Sequence, residues 1–242
     1  MKNVILQVES NKAVSNDIYL MKLKGDTSEI KNYDEFIEIK LDGYYLRRPI
    51  SVCDFGKDYV EILYKVLGHG TKFMTSLKKG DMLDCLIGLG NGYDINISKK
   101  PLLIAGGIGV APLIGLAKGF NKLNIRPKFI YGARSSNDIV LIEEIEKYAD
   151  LIIATDDGSK GYHGNVVSCL KESNIDFDYY YACGPQIMLK FLSKEFKNGE
   201  VSLEARMGCG FGACMGCSIE TTNGPKRVCK EGPVFKADEV IF

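Results

Sequence analysis

The sequence predicts a three-part chain that mixes β and α/β architecture. An antiparallel β-barrel over 1–97 is followed by a doubly wound parallel α/β domain over 98–200 and a small cysteine-rich domain over 201–242. Three observations carry this reading. Short runs rich in β-branched and aromatic residues, split by turn residues, fill the first hundred positions. Apolar strands then alternate with helix-like segments after a glycine-rich turn. Four cysteines gather near the end, at Cys209, Cys214, Cys217 and Cys229.

Composition narrows the function. The chain has 242 residues, 45% hydrophobic and 26% charged, ordinary values for a soluble globular protein. Lys+Arg and Asp+Glu are both 31, a balance that argues against an electrostatic nucleic-acid binder. No apolar run approaches the roughly 20 residues of a membrane span. The opening Met1–Glu9 stretch lacks the apolar core and cleavage site of a secretory signal. Eight cysteines without secretory features point to a reducing cytoplasm, where thiols serve metals or redox chemistry.

In the first part, residues 4–8, 17–23, 35–41 and 59–66 read as strands, and 35–41 alternates apolar and polar like a half-buried one. Turns at Lys24-Gly25-Asp26, Asp42-Gly43 and Gly56-Lys57-Asp58 separate them. Many short antiparallel strands at this spacing predict a closed barrel. One helix is predicted over 70–78, with Thr71 capping its start and Gly80 ending it. Two pieces carry chemistry. In Leu46-Arg-Arg-Pro-Ile-Ser-Val52, a guanidinium beside a rigid proline suits a diphosphate, and Ser51 shares a strand face with Pro49. Gly68-His-Gly-Thr71 opens the helix, where free amides and the dipole favour an anion. Taken singly, the first also reads as a strand start with solvated arginines and the second as a plain cap.

In the second part, Leu102–Ala105 is a buried strand ending in Gly106-Gly-Ile-Gly-Val-Ala-Pro112, and a helix follows with Pro112 in its first turn. Strands at 128–132, 151–154 and 179–183 alternate with helices at 138–148, 164–172 and 185–196. Ligands belong at the carboxyl ends of such strands. The glycine turn differs from the G-x-G-x-x-G dinucleotide fingerprint, so alone it fits close strand–helix packing as well as phosphate binding. Asp156 and Asp157 also read as turn residues. Cys53, Cys85 and Cys169 sit in apolar patterns and are expected as core thiols.

The last part is the most specific. Cys209, Cys214, Cys217 and Cys229 are spaced C-x4-C-x2-C-x11-C, the pattern of plant-type 2Fe–2S centres. Gly208, Gly210, Gly212 and Gly216 allow the tight wrap that turns amides toward sulfur. Structural zinc sites usually pair two knuckles, and here only Cys214 and Cys217 form one.

The barrel pieces and the strand ends Gly106–Pro112, Tyr131-Gly-Ala-Arg134, Thr155-Asp-Asp-Gly158 and Ala182-Cys-Gly-Pro185 resemble the ferredoxin-NADP reductase superfamily. That resemblance implies FAD held by Arg48, Pro49, Ile50 and Ser51, by Leu63, Tyr64 and Lys65, and by Gly70 and Thr71. It implies NAD as co-substrate at Gly107, Gly109, Cys183, Gly184 and Pro185, with Arg134 and Asp156 toward the adenosine. Ile50 stands where the superfamily has a stacking aromatic, so Tyr44, Tyr45 and Tyr64 are candidates to cover that flavin face. The full chain, with Arg47-Arg-Pro-Ile-Ser51, Glu204-Ala-Arg-Met-Gly-Cys209 and Arg227-Val-Cys-Lys-Glu-Gly-Pro-Val-Phe235, resembles the electron-transfer subunits of class B dihydroorotate dehydrogenases. Cys209 separates it from related small subunits that commonly carry Asp there. This resemblance implies the four cysteines as cluster ligands and an FMN-containing catalytic partner in a heterotetramer of two of each. It also implies electron flow from that FMN through the cluster and FAD to NAD+ in pyrimidine synthesis. The other expectation is a self-contained NAD(P)H:acceptor reductase. The loop 207–217 is expected at a protein–protein surface, with Phe211 and Met215 as apolar contacts.

Overall fold

A computed structural model describes residues 1–242. Six strands come first: β1 (Lys2–Ala13), β2 (Ile18–Lys24), β3 (Phe36–Ile39), β4 (Arg48–Phe55), β5 (Tyr59–Lys65) and β6 (Met82–Leu89). They close in the order β1-β2-β5-β4-β3-β6, every neighbouring pair antiparallel. Closure leaves no open edge to aggregate. Alternating residues of β1 and β2, among them Leu6, Val8, Met21 and Leu23, fill the interior. β3 departs from the alternation its sequence predicts, because Phe36, Ile37, Glu38 and Ile39 are all buried. The outer face, which the pattern assigns to water, is covered at Glu38 by the cysteine loop.

The helix after β5 is α1 (His69–Met74), shorter than the predicted 70–78. Its N-cap is Gly68, and Thr71 lies in the first turn. From there the Thr71 Oγ1 accepts the Leu67 and Gly68 amides at 2.9 and 3.2 Å. Thr71 therefore closes the cap from inside the helix.

The α/β part runs β7 (Pro101–Gly106), α2 (Val110–Lys122), β8 (Lys128–Ala133), α3 (Ile142–Glu146), β9 (Asp150–Thr155), β10 (Tyr162–His163), α4 (Val166–Glu172), β11 (Tyr179–Cys183), α5 (Gln186–Glu195) and β12 (Gly199–Ser202). The predicted helix over 138–148 is shortened to α3. Buried Ile139 and Val140 interrupt it, and Leu141 takes a left-handed φ of 57°. The last segment adds a two-stranded ribbon, β13 (Ser218–Ile219) with β14 (Lys226–Arg227), and then β15 (Val234–Lys236).

The large sheet has seven strands, in the order β10-β9-β8-β7-β11-β12-β15. All pairs are parallel except β12–β15, so the cysteine-rich segment ends as an edge strand of this sheet. Strand order reverses between β7 and β11, the switch point at whose carboxyl ends open α/β sheets bind ligands. Both sheet faces share their apolar clusters with the barrel. One joins α2 to Cys53 of β4 and Leu63 of β5. The other joins Phe36 and Leu89 to Cys217, Val228 and Cys229. No helix is long and apolar enough to cross a membrane.

α2 lies directly on β4. A Cβ at Gly115 would stand 2.5 Å from the Cys53 carbonyl oxygen, and one at Gly119 would stand 2.4 Å from the Tyr33 ring. Beside this contact Lys118 pairs with Asp54 and Glu144, both at 2.9 Å. Burial pulls its pKa down, but these two carboxylates outweigh that and hold it above the ordinary lysine value.

Candidate functional site

Three groups of residues meet around the barrel–sheet junction. The first is on β4. Arg47 and Arg48 are adjacent in sequence but have different tasks. Arg47 is committed to structure: it donates to the Asp84 carbonyl and carboxylate, both at 2.9 Å. Arg48 donates only to the backbone carbonyls of Leu46 and Arg47. Its guanidinium sits 4.9 Å from the centroid of the Tyr44 ring and lies over α1, where a Cβ on Gly70 would be 2.2 Å from Nε. The structure thus brings Arg48 and Gly70 together, as the sequence expectation requires. A cation without a carboxylate partner, stacked on an aromatic and facing a glycine helix turn, suits a diphosphate.

Other expected flavin residues divide by exposure. Pro49, Ile50 and Ser51 are half-buried on β4. Leu63 and Tyr64 point into the cores, so only their backbone is available to a ligand. Tyr64 stacks on Tyr19 and donates to Asn11 Oδ1 at 3.0 Å, which removes it as a cover for the flavin face. Tyr45 is fully exposed. Of the three tyrosines, only Tyr44 is held beside Arg48.

The second group lines a cleft of about 1090 Å³ at the sheet's switch point. Lys65, Gly107, Arg134, Asp156, Gly184 and Pro185 all face it. Gly107 has a φ of +55° and nothing within 4 Å of a would-be Cβ, so its backbone is open to a ligand. Gly109 is different. A Cβ there would meet the Cys183 carbonyl oxygen at 2.3 Å, so its small size serves strand–helix packing and it does not reach the cleft. Cys183 is buried behind the cleft, and burial pushes its thiol pKa well up. The two adjacent aspartates also separate. Asp157 accepts the Ser159 amide and hydroxyl, at 2.9 and 2.6 Å, as a turn residue, which leaves Asp156 as the one facing the cleft. Glu204, to which the sequence reading gave no role, lines the same cleft as an exposed residue.

The third group is the cysteine loop. The thiols come as two pairs. Cys209 Sγ accepts the Ala213 and Cys214 amides at 3.2 and 3.4 Å, and Cys217 Sγ accepts the Cys229 amide at 3.4 Å. Gly216 N–H points at Cys214 Sγ, at 3.4 Å. Burial pushes the Cys209 thiol up, but the amides of Cys214, Phe211 and Ala213 outweigh it and hold the pKa near 6. Burial and the neighbouring Cys217 push Cys229 the other way, to about 12, and a cation between them would remove that load. No three Cys, His, Asp or Glu side chains converge as ligands for one ion. A donor set of two thiol pairs with inward amides fits a two-iron, two-sulfide unit, whose sulfurs accept hydrogen bonds.

Two groups of side chains support this loop. Arg227 Nη1 donates to the Gly212 carbonyl at 2.6 Å, while its guanidinium pairs with Glu231. Arg227 holds the Glu231 carboxyl down at about 2. Glu38 of β3 forms the floor of the loop: a Cβ on Gly210 would be 2.2 Å from Glu38 Oε1. Burial lifts the Glu38 pKa to about 7, against the pull of Arg47. Because Glu38 pairs with Pro49 across the ladder, the cysteine loop sits one strand from Arg48–Ser51. Phe211 and Met215 are exposed on the loop's outer side.

A barrel with a free diphosphate-type arginine, joined to a nucleotide sheet at its switch point, defines an oxidoreductase of the ferredoxin-reductase fold. The family model for oxidoreductase NAD-binding domains matches residues 103–194, and that for the iron–sulfur cluster binding domain of dihydroorotate dehydrogenase B matches 204–241. A solved NADH-dependent reduced ferredoxin-NADP oxidoreductase superposes with a TM-score of 0.87 at 25% identity, covering 98% of this chain and 90% of that one. The electron transfer subunit of dihydroorotate dehydrogenase B (NAD+) from Fusobacterium nucleatum is 41% identical, over 96% of each chain. The Bacillus pumilus protein of the same name is 39% identical, over 100% of this chain and 99% of its own. The chain belongs to this family of dihydroorotate dehydrogenase B electron transfer subunits.

Proposed function

We propose that this chain carries electrons from the FMN of a catalytic dihydroorotate dehydrogenase subunit, through a 2Fe–2S cluster and FAD, to NAD+ in pyrimidine synthesis. Residues 1–97 hold FAD, 98–200 bind NAD and 201–242 hold the cluster. The complex is a cytoplasmic heterotetramer of two subunits of each kind. The observation that carries this reading is the seating of Gly210 on Glu38, which puts the cysteine loop one strand from Arg48. A flavin exchanges single electrons with a cluster and a hydride with nicotinamide, so it belongs between the two.

Each residue then has a task. Cys209, Cys214, Cys217 and Cys229 are the cluster ligands. Arg48 and the α1 turn at Gly70 and Thr71 hold the diphosphate of FAD, while Pro49, Ile50 and Ser51 line its ring and Tyr44 supports the arginine. Gly107 receives the dinucleotide's phosphates. Gly184 and Pro185 form the wall of the cleft at the nicotinamide, and Arg134 and Asp156 face the adenosine end. Phe211 and Met215 meet the partner, where their exposed apolar surface is covered.

The test is co-expression with an FMN-containing catalytic subunit. A stable complex that oxidises dihydroorotate with NAD+ is expected. Free subunits that never associate, with full NADH oxidation by this chain alone on a small acceptor, would contradict the reading.

A further inference from the structure

Behind the cleft lies a buried polar cluster that the electron route leaves unused. Asp34 precedes β3 in a left-handed conformation, with φ of 77°. It is fully buried, and neither carboxyl oxygen has a hydrogen-bond partner. Ser202, at the end of β12, is buried beside Asp34, Tyr93 and Cys183, and its hydroxyl makes no hydrogen bond to Asp34. The Tyr93 hydroxyl is already committed to the Ala182 carbonyl, at 2.9 Å.

The titratable groups facing Asp34 are Glu204, Tyr93 and Cys183, and none is basic. The neighbouring Glu35 turns away, its Oε1 accepting the Lys31 and Asn32 amides. An ionised carboxylate with no cation and no donor would be costly in such a place. Asp34 is therefore a carboxylic acid, and burial holds its pKa up at about 8.

Its position connects two sides of the site. Toward the barrel, the Val52 amide donates to the Glu35 carbonyl at 2.9 Å, and Phe36 pairs with Ser51. Toward the sheet lie the end of β11 and the cleft-lining Glu204.

We propose that Asp34 stores the proton needed at the flavin and recovers it from the cleft side, where Glu204 lies. The inference rests on the flavin reading above. Two electrons arriving singly from a cluster bring no proton, whereas a hydride leaving for NAD+ carries one with its electron pair. Each turnover therefore needs one proton from the protein: two electrons plus the Asp34 proton enter, one hydride leaves, and solvent reprotonates Asp34. In reverse, NADH delivers a hydride, two electrons leave singly and the proton returns to Asp34.

The test uses the holoprotein and its Asp34→Asn variant, an isostere that keeps the volume but holds no acidic proton. Hydride exchange from NADH to thio-NAD+ moves no net proton, whereas NADH oxidation by ferricyanide must release one. The variant is expected to slow the ferricyanide reaction at least about tenfold while its hydride exchange stays at the wild-type rate. The wild-type infrared difference spectrum on reduction should contain a protonated-carboxyl band that shifts with 13C-labelled aspartate and vanishes in the variant. Equal slowing of both reactions, or a wild type without that band, would overturn the proposal. A wild type with no hydride exchange at all would instead remove the flavin reading beneath it.

Discussion

Arg47 and Arg48 look equivalent in the sequence, yet only one is free. Arg47 is tied to Asp84, whereas Arg48 donates to nothing but nearby backbone carbonyls. Arg48→Ala should weaken FAD retention about tenfold to a hundredfold, the worth of a charged hydrogen bond or two, and leave the melting temperature of the FAD-free protein unchanged. Arg47→Ala should do the reverse, costing about 1–3 kcal/mol by stranding Asp84. Flavin content and thermal melts of both variants check this. A second residue-scale outcome concerns pH. Asp34 has a folded-state pKa of about 8, against roughly 4 in an unfolded chain. Between those values the folded chain keeps a proton that the unfolded chain has released, so Asp34 lowers stability increasingly as pH rises through that window. The melting temperature of Asp34→Asn relative to wild type should therefore climb from about pH 4 to about pH 8 and then level off. At this scale the sequence was informative where spacing carries chemistry, as in the four cysteines. It could not separate Gly107 from Gly109, because only the fold brings the Cys183 carbonyl against Gly109. Asp34 and Glu38 gave no local signal, since their burial comes from segments distant in sequence.

The elements were legible where one period dominates. β1, β2, β3 and β5 of the barrel and β7, β8, β9 and β11 follow from runs of β-branched and aromatic residues, whereas β6, Met82–Leu89, carries no such run. The helix over 138–148 shortens to α3 because Ile139 and Val140 are needed in the core that α2 also fills, a tertiary demand that overrides local helix pattern. β15 was invisible because its partner β12 lies more than thirty positions earlier in the chain. Contact between α2 and β4 is the element-scale feature with the clearest consequence. Lys118 bridges Asp54 of the barrel and Glu144 of α3 while only 16% of its side chain is exposed. Lys118→Ala leaves two acids together without their cation and should cost on the order of 3 kcal/mol. Calorimetry should show this loss, and a sharper one for the barrel–sheet contact than for either part alone.

At the scale of the whole molecule, the three parts are interlocked. The last segment supplies the edge strand β15 to the large sheet, and Asn91 after β6 fastens to it through the Gly232, Glu231 and Val234 backbone. The order of the parts along the chain was readable from motifs, but their mutual seating was not, because it depends on close approaches at Gly115, Gly119 and Gly210. That seating gives the functional account its shape: a cysteine loop on the barrel wall, a diphosphate-type arginine one strand away, and a nucleotide cleft beyond. The central claim is that electrons from the catalytic partner reach FAD only by way of the cysteine loop. Stopped-flow reduction of Cys214→Ala in the complex tests it most directly. The account predicts that NADH still reduces FAD in this variant at the wild-type rate, while dihydroorotate reduces the partner's FMN and no longer reduces FAD. Full reduction of FAD by dihydroorotate in a complex lacking the cluster would contradict it.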